Sequence, residues 1–118
     1  MALSFCIRKA RPEDIPTLTK YNLDHAKEIE GIQLNANVLQ SGLKNALKRE
    51  ECLYFVAECN SKVIGQTMIT YEWSDWRNGI IWWLQSVYVK PIYRKQGVFK
   101  RLFQHIEALA RNNPEIKA

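Results

Sequence analysis

The sequence has no apolar run that approaches the roughly 20 residues needed for a membrane-spanning helix. Its first residues, MALSFCI, are too few for a signal peptide and carry no cleavage pattern. Cysteine is scarce, and Cys6, Cys52 and Cys59 form an odd set without CxxC spacing, which argues against both disulfides and a zinc site. These absences predict a cytoplasmic protein that has no metal centre and does not act at a membrane.

The composition is that of an ordinary globular domain. The chain has 118 residues, 47% of them hydrophobic and 25% charged, which suits one folded domain with a core of modest size. The formal net charge of +5 permits an anionic partner, such as nucleic acid, an acidic surface or a phosphorylated cofactor. The basic residues are scattered and match no known nucleic-acid motif, so we do not expect nucleic acid to be the partner.

Hydrophobic periodicity predicts four strands and three helices in the order β-α-α-β-β-β-α. Pro12 suits a helix start, Gly31 suits a helix stop, and either Asn35 or Asn37 suits the cap of a second helix. We therefore predict a mixed α/β (α+β) fold with a central, mostly antiparallel sheet flanked by helices. The predicted strands cover residues 5–9, 52–59, 63–73 and 80–90, and the predicted helices run from Pro12 to the stop at Gly31, from Asn35 or Asn37 to Leu47, and over residues 98–110.

The stretch YRKQGVFKRLF, residues 93–103, places cations and a glycine where the last helical pattern begins. A helix N-terminus leaves backbone N–H groups without partners and carries partial positive charge, so it favours a bound anion. Gly97 allows the backbone to come close to a ligand, and Arg94 and Lys95 add full charges. Lys100 in the first turn is unfavourable for the helix alone, but a bound pyrophosphate would reverse that. The alternative is an ordinary loop whose cations are solvated.

The longer stretch LQSVYVKPIYRKQGVFKRLF resembles the signature of the GNAT superfamily of acyl-CoA N-acyltransferases. In that signature a V-x-V strand end and a short loop precede [QR]-x-x-G-x-[GA] at the start of a helix. Val87-Tyr88-Val89, Arg94 and Gly97 match it. Phe99 departs from it at the last small position, while the element order and the stretch KVIGQ agree with the family.

The resemblance implies that acetyl-CoA is the co-substrate and that the backbone of residues 94–100 wraps its pyrophosphate. It also implies that the pantetheine arm pairs with the fourth strand, which usually carries a bulge near this point. A bulky side chain at Phe99 would crowd the phosphates without removing the backbone donors. The cofactor-binding residues implied are Val87, Val89, Arg94, Lys95, Gln96, Gly97, Val98, Phe99 and Lys100.

The same resemblance implies chemistry in which an amine attacks the thioester carbonyl directly, with a glutamate on the fourth strand often acting as the base. Gln85 stands at that position and cannot act as a base, so it is predicted to orient the substrate or a water molecule. Trp83, Gln85 and Val87 share a strand face if no bulge intervenes. Glu72 and Glu28 are either bases that act through water or solvated charges. The catalytic candidates are therefore Gln85 and Glu72.

The stretch TYEWSDWRNGIIWWLQSVYV, residues 70–89, is similar to a region of the diamine and polyamine acetyltransferases. Its dense aromatic residues suit a wall for a cationic amine, and they also suit sheet packing or a dimer surface. We expect a small-molecule amine or a peptide amine as acceptor. The substrate-binding candidates are Glu28, Tyr71, Trp73 and Trp83. His25 and His105 lie in predicted helices without a cluster of metal ligands.

The resemblance covers essentially the whole chain and about two thirds of a typical family domain. We therefore predict a single domain over residues 1–118 that is truncated at its C-terminus. It would lack the family's C-terminal strands and the tyrosine that commonly acts there as general acid. The fourth strand would have an unpaired edge, so we expect either that the chain is a fragment of a longer protein or that a second copy of the chain in a homodimer covers that edge. Two functions stay open: an N-acetyltransferase, and a catalytically impaired module of the same fold that binds CoA or dimerises.

Overall fold

A four-stranded antiparallel sheet forms the middle of the protein, and the computed structural model describes it together with the rest of residues 3–118. The strands are β1 (Cys6–Lys9), β2 (Cys52–Cys59), β3 (Lys62–Ser74) and β4 (Gly79–Val89). They lie side by side in their order along the chain. Tight turns join the last three strands, because Asn60, Ser61 and Asn78 adopt the left-handed backbone angles that such turns require.

Three α-helices flank the sheet: α1 (Ile15–Glu30), α2 (Ala36–Ala46) and α3 (Val98–Arg111). The Asn35 side chain caps α2 by accepting hydrogen bonds from the N–H groups of Asn37 and Val38, both at 3.0 Å. The predicted element order and mixed fold class are confirmed, and Asn35 rather than Asn37 is the cap. Among residues 3–118, no helix is both long and apolar enough to cross a membrane.

Helices cover the sheet on both faces, since alternate residues of β2 enter two separate cores. Tyr54 and Val56 pack with Leu18 of α1 and Leu43 of α2. The core on the opposite face consists of Phe55, Ala57, Cys59, Ile64, Ile69, Val98, Leu102 and Ile106. The helix-sheet-helix arrangement brings α1 and the start of α3 to the same end of β4, from opposite faces.

The start of α3 lies directly against β3, and Gly65 permits this approach. A Cβ atom built on Gly65 would be 2.9 Å from Cγ1 of Val98, the first residue of α3. Real Cβ atoms do not come so close, so only glycine fits here without a shift of the helix. The position of the α3 N-terminus relative to the sheet therefore depends on this contact.

A partly buried ion-pair cluster ties β1 to Asp14, just before α1, and to β2. The Arg8 guanidinium donates to both carboxylate oxygens of Asp14, at 2.8 and 3.0 Å, and to Glu58 at 3.2 Å. Burial disfavours the charged form of Asp14, but hydrogen bonds from Arg8 and from the N–H of Arg11 outweigh it and lower the pKa of the carboxyl group. Asp14 is therefore an ionised, almost fully buried partner.

The outer edge of β4 is paired over its first residues, so the expectation of an unpaired edge is wrong there. Ile116 forms a parallel bridge with Ile80, whose N–H donates to the carbonyl of Glu115 at 2.8 Å. Trp82 likewise donates to Ala118 at 2.8 Å. The turn after α3 returns the chain to the sheet, which a reading of helical periodicity alone does not show. Within residues 3–118, no strand lies beside the second half of β4 on this edge.

Candidate functional site

A bulge interrupts β4 near its C-terminal end. In the register of the two strands, Gln66 lies opposite Tyr88 and Met68 lies opposite Gln85, which leaves one residue of β3 against two of β4. Ser86 adopts a left-handed φ of 53° at this point, an uncommon conformation for a residue with a side chain. The bulge implied by the family resemblance is thus present.

The bulge changes which side chains of β4 share a face. Gln85 lies on the α1 and α2 face with its partner Met68, which packs against the core there. Tyr88, three residues later, lies on the same face with its ring against α1. Residues three apart in a regular strand lie on opposite faces. The common face of Trp83, Gln85 and Val87 expected for a regular strand therefore ends at Gln85.

A cleft of about 530 Å³ lies between the end of β4, the last turns of α1 and the start of α3. This is the size range of small-molecule sites. Eight of the nine predicted cofactor-binding residues line it together. The exception is Gln96, whose side chain instead donates to the carbonyl of Ile92 at 3.1 Å. The cleft is lined by His25, Glu28, Ile29, Val87, Tyr88, Val89, Tyr93, Arg94, Lys95, Gly97, Val98, Phe99 and Lys100.

Residues 94–100, which we call the anion turn, present unpaired backbone donors to this cleft. The N–H groups of residues 95–100 donate no hydrogen bond to any residue within 3–118. Lys95 and Gly97 adopt left-handed φ angles of 63° and 83°, and such turns bring successive N–H groups to one concave side. With the α3 N-terminus and the charges of Lys95 and Lys100, the turn favours a doubly charged anion such as pyrophosphate.

Phe99, the departure from the family signature, lies at the wall of the cleft. Its ring centroid is 6.2 Å from that of Phe103, one turn further along α3, and both residues are 42% exposed. The preceding residue, Val98, is buried in the core instead. Phe99 therefore narrows the cleft from one side. Its ring has no acceptor for the N–H groups of the anion turn, so those donors stay available to a ligand.

Arg94 is held in the cleft by a carboxylate and an aromatic ring. Its guanidinium donates to Glu28 at 3.0 Å and to the carbonyl of Val89 at 2.8 Å, and it lies 5.1 Å from the centre of the Tyr88 ring. The Tyr88 hydroxyl donates to the second oxygen of Glu28 at 3.0 Å. Glu28 was predicted as a substrate or water-mediated catalytic residue, and the structure places it beside the anion turn.

The contacts of Glu28 shift the ionisation of this group of residues. Hydrogen bonds from Arg94 and then from Tyr88 lower the pKa of the Glu28 carboxyl. Burial, followed by the hydrogen bond to the Glu28 carboxylate, raises the pKa of Tyr88 to about 12. Glu28 is therefore anionic and Tyr88 a neutral donor across the physiological pH range.

Apart from Glu28, the predicted catalytic and substrate residues lie further along β3 and β4, on two different faces of the sheet. Trp83 donates its indole N–H to Glu72 at 3.2 Å, and Gln85 donates to the hydroxyl of Thr70 at 2.5 Å. The structure brings these side chains together on the α1 and α2 face.

The two other aromatic candidates are separated from Trp83 by the sheet. Tyr71 stacks on Trp82 on the opposite face, with ring centroids 5.9 Å apart. Trp73 is 61% exposed and lies on that same face by strand alternation. Of the aromatic candidates, only Trp83 shares a face with Gln85.

Sequence reasoning overlooked Gln66 and Thr67, two polar residues of β3 that are fully buried. Their side chains donate to the carbonyls of Ser86 and Gln85, at 2.9 and 3.1 Å. A signal was available, because two adjacent polar residues interrupt the apolar stretch VIGQTMI in a strand predicted to be central. His25 lies 6.0 Å from Tyr88 between ring centroids. In residues 3–118 no group of histidine, cysteine or acidic residues is placed to hold a metal ion.

Comparison with known proteins points to one family. The model of the acetyltransferase (GNAT) family matches residues 16–118. A possible acetyltransferase from Clostridium difficile 630 has a similar structure, with a TM-score of 0.89 and 44% identity, covering 96% of this chain and 75% of that one. A comparison with curated proteins gave no match.

Two more distant structures share the fold. One is a predicted acetyltransferase from Clostridium acetobutylicum, solved with acetyl-CoA, with a TM-score of 0.74 and 23% identity over 97% of this chain and 79% of that one. The other is an aminoglycoside acetyltransferase from an uncultured soil metagenomic sample, in complex with sisomicin. Its TM-score is 0.72, with 15% identity over 97% of this chain and 77% of that one.

Proposed function

Since the chain belongs to the acetyltransferase (GNAT) family, we propose that it transfers an acetyl group from acetyl-CoA to an amine. In this reaction the amine nitrogen attacks the thioester carbonyl, a C–N bond forms and the C–S bond breaks. The amine loses a proton and the departing CoA thiolate takes one up, so the products are an N-acetylated amine and free CoA.

The anion turn is the observation that carries this proposal. Its unpaired N–H groups, the α3 N-terminus and the nearby cations form a site that suits the pyrophosphate of acetyl-CoA. Val87 and Val89 lie beside it on the second half of β4, whose outer edge, away from β3, has no neighbouring strand within residues 3–118. Their backbone groups are therefore proposed to pair with the pantetheine arm.

Gln85 and Glu72 are the proposed catalytic residues. Gln85 has no basic group, so its proposed role is to orient the amine or a water molecule just before the bulge. Glu72 is proposed to accept the amine proton through water, and its hydrogen bond from Trp83 keeps the carboxylate on this face. Trp83 is half exposed and offers an aromatic surface to a cationic amine. Acceptors to be tested are diamines, polyamines, aminoglycosides and peptide amines.

Calorimetric titration of acetyl-CoA into the chain tests the site, with Gly97→Glu as the disruptive variant. Gly31→Glu is a matched control, because both glycines have left-handed φ angles and open space beside the Cβ position. Only Gly97 lies in the anion turn, where an added carboxylate repels the phosphates. We expect Gly97→Glu to raise the Kd at least about tenfold and Gly31→Glu to leave it unchanged. Absence of binding by the folded parent, or equal effects of the two variants, would contradict the proposed site.

A module that binds CoA or dimerises without turnover is the second candidate. Gln85 favours it, because its amide is engaged with Thr70 and supplies no base at this position. Release of CoA thiol with a panel of amines separates the two functions, since any acetylated amine decides for the enzyme. If no amine is acetylated although acetyl-CoA binds, sedimentation with and without CoA tests whether two copies associate.

A further inference from the structure

Two buried side chains of β3 hold the bulge of β4 from opposite faces of the sheet. Gln66 Nε2 donates to the carbonyl of Ser86 at 2.9 Å, and Thr67 Oγ1 donates to the carbonyl of Gln85 at 3.1 Å. Both residues have 0% exposure. Because neighbours along a strand point to opposite faces, the two donors reach consecutive carbonyls from two sides.

The Gln66 side chain is an unfavourable choice if stability is its only purpose. Its Oε1 is buried and finds no hydrogen-bond partner within residues 3–118. A buried acceptor without a partner is destabilising, and an apolar side chain of similar length would avoid that loss. The amide at this position therefore indicates that its bond to Ser86 does more than fill space.

The bulge needs hydrogen bonds that hold its backbone conformation. That conformation also sets the position of Val87 and Val89, which line the cleft. Ser86 has a left-handed φ of 53°, which a serine adopts only when its surroundings hold it there. Three residues later the carbonyl of Val89 accepts a hydrogen bond from Arg94 at 2.8 Å. The path from the bulge to the anion turn is thus short and hydrogen-bonded.

We propose that Gln66 and Thr67 are positioning residues that fix the bulge and thereby aim the backbone groups of Val87 and Val89 at the pantetheine arm. This inference rests on the proposed function, since it assigns these residues a part in binding acetyl-CoA. Neither side chain lines the cleft, so both act through the backbone of β4.

Four variants separate positioning from packing. Thr67→Val removes the donor with little change in shape, and Thr67→Ser keeps the hydroxyl. Gln66→Met removes the amide at similar length. Ile69→Val is the matched control, because Ile69 is fully buried on the same strand and its aliphatic side chain cannot donate a hydrogen bond to the bulge.

The measured quantities are the Kd of acetyl-CoA and the thermal midpoint of unfolding. Thr67→Val and Gln66→Met are expected to raise the Kd about tenfold, whereas Thr67→Ser stays within about twofold of the parent. Gln66→Met is expected to be at least as stable as the parent, because it removes the unpaired acceptor. Ile69→Val is expected to lower the midpoint without changing the Kd. A Kd that follows the midpoint through all four variants would overturn the proposal.

Amide hydrogen exchange in the free protein gives a readout that does not depend on acetyl-CoA. Faster exchange confined to residues 85–89 in Thr67→Val and Gln66→Met supports the assignment, and unchanged exchange there overturns it. A folded parent that shows no binding of acetyl-CoA overturns the proposed function instead. The two failures are therefore distinguishable in one set of samples.

Discussion

Replacing Gly65 by alanine tests how closely α3 must approach the sheet. The added Cβ would lie 2.9 Å from Val98 Cγ1 and 3.4 Å from the carbonyl oxygen of Tyr88. Val98 is buried at the first position of α3, so relief of the contact requires the start of the helix to move. Overpacking of this kind destabilises by about 1–3 kcal/mol, against a gain of about 0.4–1 kcal/mol from the stiffer unfolded chain.

The net loss of roughly 1–2 kcal/mol corresponds to a lower thermal midpoint. The entropy of unfolding for 118 residues is about 0.25 kcal/mol/K, so we expect the midpoint to fall by roughly 4–8 °C. Because the anion turn is continuous with the start of α3, the Kd of acetyl-CoA should rise in the same variant. Thermal unfolding followed by circular dichroism and calorimetric titration measure the two effects.

Gly42→Ala is the matched control for this prediction. Gly42 lies exposed in the middle of α2, and a Cβ there meets nothing within 4 Å. The same chemical change is expected to raise the midpoint by roughly 2–4 °C, since alanine is the better helix former. A Gly65→Ala variant as stable as the parent would refute the argument from close packing. A destabilised variant with an unchanged Kd would refute the link between the contact and the anion turn.

The remaining predictions concern two ion pairs, Arg8 with Asp14 and Arg94 with Glu28. Asp14→Asn removes the negative charge that pairs with Arg8. At pH 7 it is expected to lower the free energy of unfolding, measured by urea denaturation, by about 2–4 kcal/mol. Because the pKa of Asp14 is lowered, this stabilisation is present at pH values above the ordinary pKa of aspartate and is lost as the pH falls through the lowered pKa. The difference in stability between variant and parent should therefore shrink in acid. A difference that stays constant with pH would contradict this reasoning. Glu28→Gln is expected to tighten acetyl-CoA binding about two- to fivefold at low salt by freeing Arg94, and less so in high salt. Weaker binding would mean that Glu28 orients Arg94 for the phosphates.

Features that depend on near neighbours in the chain were predictable from the sequence. Alternating strands and the turn residues between them indicated the meander, and Asn35 is a local cap. The position of the anion turn was predictable for the same reason, because Gly97 and the adjacent cations lie within one loop and the helix start that follows it.

Features that depend on contacts between distant segments were not predictable in this way. Periodicity alone placed Val87 on the face of Gln85, because the bulge is held by donors from the neighbouring strand. The contact between Glu28 and Arg94 was not predicted, since nothing local shows that the end of α1 meets Arg94 across the cleft. Residues 115–118 have too few alternating positions to indicate their pairing with β4.

The order of the strands has a kinetic consequence. β2, β3 and β4 are joined by short turns, so this meander forms by closing small loops and is expected to assemble early. β1 pairs with β2 across about 50 residues of chain, and the Arg8–Glu58 contact spans that same separation. Contacts that close such a long loop form late and break early. The Arg8 cluster is therefore expected to govern the rate of unfolding more than the rate of folding. Loss of this cluster should speed the separation of β1 from β2 and leave the rate of folding nearly unchanged.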